Sequence, residues 1–390
     1  MKHAPVSGVQ PEILRWARKS LGLSIDDVAG MLKRHPEDVE AWEAGRRAPT
    51  YPQLERLAYQ IYKRPLAVFF LPAPPEEVSP QREFRSLPDA DMETLDRDTY
   101  LHIRKAHAYQ LALLELFDGR NPAARNIRQA LTLSPTEDYT LQAERVRDYL
   151  GITLDLQNAW KTDEEALKAW RDAVEQCGIF VFKAAFKQKD ISGLCLVDER
   201  MPVIYLNNST SKTRQIFSLL HELAHLLLDM NGLSKFDSSY MERLPDRERA
   251  SERFCNAVAA EILIPQQDFC ERARQFPADV EKASEDQFSD FAKRYGVSRE
   301  AILRRFLDQG RVGKAFYEDR ARFWAAQKAP AGGGNWYLNQ GAYISNRFAR
   351  EVVSRHYRYQ ISLEQAADLL GIKPKSYPGF EASILQGAET

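Results

Sequence analysis

The sequence is poor in cysteine, in long apolar runs and in net charge, and each shortage excludes a class of protein. Four cysteines among 390 residues form no C-x-x-C pair, which argues against a disulfide scaffold and favours buried, inert thiols in a reducing compartment. No stretch approaches the roughly 18 apolar residues of a membrane-spanning helix, and the first twenty residues lack the apolar core of a signal peptide. The net charge of −1 means that any surface for nucleic acid is local. We therefore expect a soluble, cytoplasmic protein without a membrane partner.

The most informative stretch is a predicted helix over residues 211–229, which carries the sequence His221-Glu222-Leu223-Ala224-His225. Its other residues are almost all apolar or small, which predicts a helix buried on nearly every side. Two histidines four residues apart lie on one helical face and can bind a single ion, and zinc accepts that arrangement. The glutamate between them can reach a water molecule on the metal and act as a general base. The H-E-x-x-H pattern therefore predicts a hydrolytic zinc site.

A third ligand decides between this interpretation and a helix whose histidines only bond to backbone or carboxylate groups. The next predicted helix, from about 246 to 264, carries a stripe of small residues that would let it pack closely on the first and bring Glu252 to the histidines. Glu261 is the competing acid, and it lies about 180° round the helix from Glu252, so only one of the two can face the metal. Asp229 and Asn256 are candidates to orient the ligands.

The segments IFSLLHELAHLLL and ERFCNAVAAEILIP resemble the ImmA/IrrE family of bacterial metallopeptidases, and the resemblance extends over roughly residues 170–310. It implies a zincin-like fold, a Zn²⁺ cofactor and four site residues, with His221, His225 and Glu252 as metal ligands and Glu222 as the general base. Cys255 stands where the family usually has alanine, and Val258 where it usually has phenylalanine. Both changes are apolar, so the expected site is unaffected.

Residues 1–72 predict a small helical domain of another kind. Proline and serine residues mark the helix starts, and apolar residues at helical spacing would form one core. The segment SIDDVAGMLKRHPEDVEAWEAGRRAPTYPQLERLA resembles the repressor-type (XRE, Cro/C1-like) helix-turn-helix, which implies that the third helix, roughly 36–43, enters the major groove of DNA. The candidate DNA contacts are four cations near that helix: Lys33, Arg34, Arg46 and Arg47.

The charge of this domain gives a mixed signal for DNA binding. The third helix presents Glu37, Asp38 and Glu40, and carboxylates that face phosphates cost affinity. The segment 1–72 nevertheless carries 11 lysines and arginines against 8 acidic residues. The sequence favours DNA as a partner, while a protein-binding or dimerising role stays open.

The remaining stretches predict mostly helices. A proline-rich spacer at 71–80 marks a domain boundary. Three β-branched and aromatic runs after Gly178 predict a three-stranded meander. Residues 230–244 predict a loop. Residues 362–381 repeat the pattern of 24–43, which predicts either a degenerate second helix-turn-helix or a plain helical cap on the peptidase domain. In the helix-turn-helix alternative, Pro378 and Gly379 would cut the third helix short.

The expected fold class is therefore mainly α with a small β-sheet, an α+β arrangement. It has four parts: an all-α helix-turn-helix domain at 1–72, a linker and helical connection at 73–170, a zincin-like peptidase domain at 171–310, and a helical region at 311–390.

Together these features predict a zinc-dependent endopeptidase joined to a DNA-binding-type module. The family resemblance implies a protein substrate, such as a bacterial repressor or a toxin–antitoxin partner, cleaved in a stress or mobile-element response. The alternative is a transcriptional regulator or antitoxin in which the peptidase domain is a sensor or protein-binding platform. A purely structural zinc is disfavoured because structural sites usually have four ligands that include cysteine. An active and a latent peptidase are both compatible with the sequence.

Overall fold

The computed structural model describes residues 4–77, 79–84, 86–236, 238–327 and 343–386. The chain divides into two compact units, the first formed by Met1–Phe84 with Pro88–Lys105 and the second by Arg85–Leu87 with Ala106–Thr390. Among the helices of the described ranges, none has the length and apolar character needed to cross a membrane. The prediction of a mainly helical fold with a small sheet is confirmed.

The first unit consists of short helices around one small core. Ser24 forms a capping box with Asp27 at the start of the helix Ile25–Leu32. Prolines stand in the first turns of four further helices, because a missing N–H costs nothing there. The buried core side chains include Leu14, Val28, Val39, Trp42 and Leu57. The helices are α1 Pro11–Lys19, α2 Ile25–Leu32, α3 Pro36–Glu43, α4 Tyr51–Glu55 with a π-helical continuation at Arg56–Tyr62, a 3₁₀ turn at Leu66–Phe70, α5 Pro80–Glu83 and α6 Asp89–Glu93.

The second unit surrounds the sheet with helices. The long helix α7, Arg97–Leu116, has residues in both units. The helices before the sheet are α8 Ile127–Ala130, α9 Tyr139–Leu150, α10 Leu154–Ala159 and α11 Asp163–Gln176. One helix, α12 Lys212–Leu227, precedes the last strand of the sheet. The helices after the sheet are α13 Asp246–Leu263, α14 Gln266–Arg272, α15 Glu285–Tyr295, α16 Arg299–Asp308, α17 Lys314–Ala325, α18 Asn346–Tyr357, α19 Leu363–Leu369 and α20 Tyr377–Gln386.

The sheet has four strands in the order β1-β3-β2-β4, where β1 is Phe180–Ala184, β2 Ile191–Leu196, β3 Val203–Asn207 and β4 Gly232–Lys235. β1 is parallel to β3, and β2 is antiparallel to both β3 and β4. The predicted three-stranded meander is therefore wrong, and the predicted loop at 230–244 contains a strand and a 3₁₀ turn at Ser238–Arg243. A four-residue strand of sequence GLSK has no alternation to detect, and its pairing with β2 fixes it only in the folded chain.

Helix α12 is buried along most of its length, as its apolar sequence predicts. The side chains of Leu219, Leu220 and Leu223 are fully buried. α12 packs on α11, α13, β2 and β3, and this close packing sets the direction in which its polar side chains point.

The C-terminal helices show a capping pattern similar to that of the first unit. Ser362 forms a capping box with Gln365 at the start of α19, as Ser24 does for α2. The prediction that Pro378 cuts the following helix short is wrong, because α20 begins at Tyr377 and the proline falls in its first turn.

Candidate metal centre

The packing of α12 against α13 brings three candidate metal ligands together. His221 Nε2 and His225 Nε2 lie 3.1 Å apart, and the carboxylate of Glu252 approaches them at 3.5 Å and 3.0 Å respectively. One ligand atom from each residue can be chosen so that all three lie within 4.8 Å of one another, and all three side chains are buried. The three predicted ligands therefore converge on a single point.

The donor set fits a catalytic zinc ion. Two imidazole nitrogens and one carboxylate oxygen are the ligands of an open zinc site, which keeps a position for water or substrate. Among the described residues, no cysteine joins the cluster to complete a closed structural set. A buried carboxylate also needs a positive partner. The structure thus brings Glu252, the proposed third ligand, within reach of both histidines.

The electrostatics of the three residues favour a charged carboxylate. Burial alone would raise the pKa of Glu252, but the imidazoles of His225 and His221 outweigh burial, so its pKa lies well below the usual value. Burial also works against the charged form of His225, yet Cys255 and Glu252 beside it raise its pKa well above the usual value.

The competing acid and the two orienting candidates lie elsewhere. Glu261 accepts hydrogen bonds from Arg305 and from the backbone N–H of Gln266, both at 2.7 Å, so it belongs to a structural ion pair and not to the metal cluster. Asp229 is largely exposed and pairs with Arg128. The Asn256 amide contacts the sulfur of a methionine and not a metal ligand.

Glu222 lies beside the cluster, fully buried. Its two carboxylate oxygens accept no hydrogen bond from a nitrogen or hydroxyl donor in the described part of the chain, so they are available to a water molecule or a substrate. The thiol of Cys195 lies next to it, and burial together with the negative charge of Glu222 raises the pKa of that thiol well above its usual value. Cys195 is therefore a neutral neighbour of the predicted base.

Strand β4 forms one wall of the site through its first residue. A Cβ atom at Gly232 would lie 2.7 Å from Oε2 of Glu222 and 3.0 Å from the ring of His225. Only a residue without a side chain lets the strand approach so closely. The sequence did not indicate Gly232 as a site residue, because the four residues of β4 carry no strand pattern.

A second residue that the sequence did not indicate is Tyr240, in the 3₁₀ turn at Ser238–Arg243. Its hydroxyl donates a hydrogen bond of 2.8 Å to Oε2 of Glu252. Burial and the charge of Glu252 raise the pKa of Tyr240 well above its usual value, so the phenol stays protonated and remains a donor. A lone tyrosine in a predicted loop carries no signal for this contact.

The four cations predicted to contact DNA are exposed in the first unit. Lys33 follows α2 with a left-handed backbone conformation, and Arg34 is adjacent to it. Arg46 and Arg47 follow α3, and Arg47 lies 3.3 Å from Asp38. That ion pair places one acidic residue of α3 beside one of the candidate cations.

Comparison with known proteins agrees with this geometry. Residues 174–307 match the model of the Peptidase_M78 family, described as the IrrE N-terminal-like domain. The match supports a metallopeptidase-type domain in this part of the chain, in line with the resemblance to ImmA/IrrE proteins.

A search of characterised proteins finds similarity to the radiation response metalloprotease IrrE of Deinococcus radiodurans, with 33% identity over 115 residues. The matched segment is 29% of this chain and 33% of that protein. The chain thus spans about a third of the length of the relative that it matches.

Proposed function

We propose that the protein is a zinc-dependent endopeptidase that cleaves a bacterial regulatory protein, and that its first unit directs it to DNA. The observation that supports catalysis is the convergence of His221, His225 and Glu252 beside a buried Glu222, whose oxygens accept no hydrogen bond from nitrogen or hydroxyl donors of the described residues. A structural metal site would not need such a carboxylate.

The chemistry follows from the positions of these side chains. When bound, Zn²⁺ supplies Lewis-acid chemistry, because it lowers the pKa of a water molecule and polarises a peptide carbonyl. His221, His225 and Glu252 would hold the ion. Glu222 would take a proton from the attacking water and deliver it to the nitrogen of the leaving amine.

The sheet supplies a means of holding an extended substrate. β4 lies at the edge of the sheet in the described residues and passes directly beside Glu222. An edge strand can add an extended peptide through main-chain hydrogen bonds, and such bonds fix the backbone without selecting its side chains. The substrate class is therefore a protein with an extended, accessible segment, and a repressor with such a segment fits.

The regulatory part of the proposal depends on the first unit. The proposal is supported by the succession of helices α1 to α3, by the capping box at the start of α2 and by four exposed cations that border α2 and α3. The exposed Glu37 and Glu40 of α3 limit its affinity for phosphates. Replacing Arg46 and Arg47 together with alanine should weaken binding to duplex DNA and reduce its dependence on salt. Unchanged binding, or none by the wild type, would favour protein recognition by this unit.

The catalytic proposal is tested by zinc content and cleavage measured together. Wild type is expected to carry about one zinc per chain, Glu252→Ala to lose most of it, and Glu222→Gln to keep it. Glu222→Gln should cleave an unfolded protein such as casein at least about a hundredfold more slowly than wild type. A Glu261→Gln variant is the matched control, because it alters an acid on the same helix outside the cluster.

The outcomes separate the candidate functions. Loss of zinc without loss of cleavage would exclude a metal-dependent reaction. Zinc binding with measurable and equal cleavage by wild type and Glu222→Gln would exclude the assigned base. A folded wild type that binds no zinc would favour the second candidate, a regulator whose peptidase domain serves as a protein-binding platform.

A further inference from the structure

The backbone N–H and carbonyl groups of β4 that point away from β2 form the outer edge of the sheet. In an antiparallel pair, successive residues alternate between bonding to the partner strand and facing away from it. Gly232 and Ser234 face β2, because the Gly232 N–H donates to the sulfur of Cys195 at 3.2 Å and the Ser234 carbonyl accepts from the Ser192 hydroxyl at 2.9 Å. Leu233, between them, faces away from β2.

Ser86 bonds to both outward-facing groups of Leu233. The Leu233 N–H donates to Ser86 Oγ at 2.7 Å, and the Ser86 hydroxyl donates to the Leu233 carbonyl at 2.9 Å. One side chain thus makes the two hydrogen bonds that a residue of an added strand would make. Ser86 is 1% exposed and Leu87 is also buried, so water does not compete for these bonds. Both residues belong to the second unit.

The groups that Ser86 holds lie next to the proposed reaction centre. Gly232 immediately precedes Leu233, and the Cβ position of Gly232 is 2.7 Å from Oε2 of Glu222. A peptide paired with Leu233 would therefore run past the general base. The backbone N–H and carbonyl that would hold its main chain are the ones that Ser86 occupies.

We propose that the outer edge of β4 at Leu233 is the main-chain binding site for the extended substrate and that Ser86 holds it closed, so the chain is a latent peptidase. This inference rests on the proposed function and names the regulation of the same site. A substrate strand binds only after the Ser86 hydroxyl leaves Leu233, and the backbone N–H can donate to one partner at a time in this geometry. Activation is then displacement of Ser86, with no change in the metal ligands.

The test removes the hydroxyl and measures binding separately from cleavage. Ser86→Ala is compared with its parent in a zinc-loaded Glu222→Gln chain, with fluorescein-labelled β-casein as the extended probe and anisotropy as the readout. Ser192→Ala is the matched control, because it deletes a buried serine-to-carbonyl bond to the same strand on the β2 side. Ser86→Ala should bind casein about tenfold more tightly than its parent, and Ser192→Ala should not.

Cleavage by chains with an intact Glu222 then distinguishes the two proposals. Casein cleavage about tenfold faster in Ser86→Ala than in wild type supports the closed edge. Equal casein binding by Ser86→Ala and its parent overturns the closed edge, whether or not wild type cleaves. Tighter binding without zinc-dependent cleavage by either intact chain supports the closed edge and overturns the proposed peptidase reaction.

If Ser86→Ala does not fold, hydrogen exchange in a chain that keeps Ser86 tests the same proposal. Casein is added to zinc-loaded Glu222→Gln, and amide hydrogen exchange is followed at Ser86, Leu87 and Leu233. Faster exchange at Ser86 and Leu87, with Leu233 still protected, supports displacement of one partner by another. Unchanged exchange at Ser86 and Leu87 with casein bound overturns the proposal.

Discussion

The hydroxyl of Tyr240 lies 2.8 Å from Oε2 of Glu252, the carboxylate that faces both histidines of the metal cluster. A protonated phenol that donates to one carboxylate oxygen fixes the rotation of the carboxylate and leaves its other oxygen free to bind a metal. Groups that orient ligands in this way raise metal affinity, because less conformational freedom is lost on binding.

Tyr240→Phe is therefore expected to weaken zinc binding by about 10- to 100-fold. Competition with a fluorescent chelator would measure the affinity, and circular dichroism would show that the fold is kept. Tyr317→Phe is the matched control, since that hydroxyl bonds to Glu300, outside the metal cluster. Equal zinc affinity in wild type and Tyr240→Phe would show that the phenol has no part in orienting the ligand.

Gly232→Ala is expected to reduce peptide cleavage at least about a hundredfold with a loss of roughly 1–3 kcal/mol in stability. The added methyl group would lie 2.7 Å from Glu222 Oε2 and 3.0 Å from the His225 ring, so the carboxylate must move away from its position beside the cluster. Gly313→Ala is the control, because a Cβ there meets no atom closer than 3.7 Å. Cleavage and thermal unfolding of both variants check the expectation, which normal cleavage by Gly232→Ala would contradict.

Replacing Glu261 is expected to lower stability without loss of zinc, whereas replacing Glu252 is expected to remove the zinc. Glu261→Gln breaks a buried ion pair with Arg305 and should destabilise the second unit by about 3 kcal/mol while leaving one zinc per chain. Glu252→Gln should lose zinc. Metal analysis beside thermal unfolding separates the two effects, and a zinc-free Glu261→Gln would show that the ligand had been assigned to the wrong acid.

Lys183 on β1 should make stability depend on pH. Burial, reinforced by the positive charges of Arg171 and Lys212, lowers its pKa to about 7, whereas the unfolded chain has an ordinary lysine pKa of about 10.4. Between those values the unfolded state binds the proton and the folded state does not. The free energy of unfolding contributed by this group therefore rises with pH from about 7 to about 10.4.

Lys183→Met removes that dependence and should raise the melting temperature at pH 7 by a few degrees. Melting temperatures of wild type and variant at several values from pH 7 to 10 would converge as the pH rises. Lys282→Met is the control, because Lys282 is exposed. A difference between wild type and Lys183→Met that stays constant over this range would exclude a depressed pKa.

Prediction from sequence was most successful where a pattern is local and periodic. The H-E-x-x-H spacing within one buried helix, the small-residue stripe of the next helix and the caps at Ser24 and Ser362 involve residues a few positions apart. The physical cause of each pattern lies within one element, so the sequence contains it. The fold class and the buried helix with two histidines on one face followed from such patterns, whereas the expected metallopeptidase family rested on a resemblance.

The sequence by itself thus determined the ligand residues that could meet and the apolar faces that would pack. Tertiary structure decided that Glu252 faces the histidines while Glu261 pairs with Arg305, since both are glutamates on one helix and only packing selects the face. Tertiary structure also placed β4, and with it Gly232 and the bond between Ser86 and Leu233, residues 147 positions apart. A four-residue edge strand has too little sequence to specify its pairing, and a contact across that separation exists only once the chain has folded.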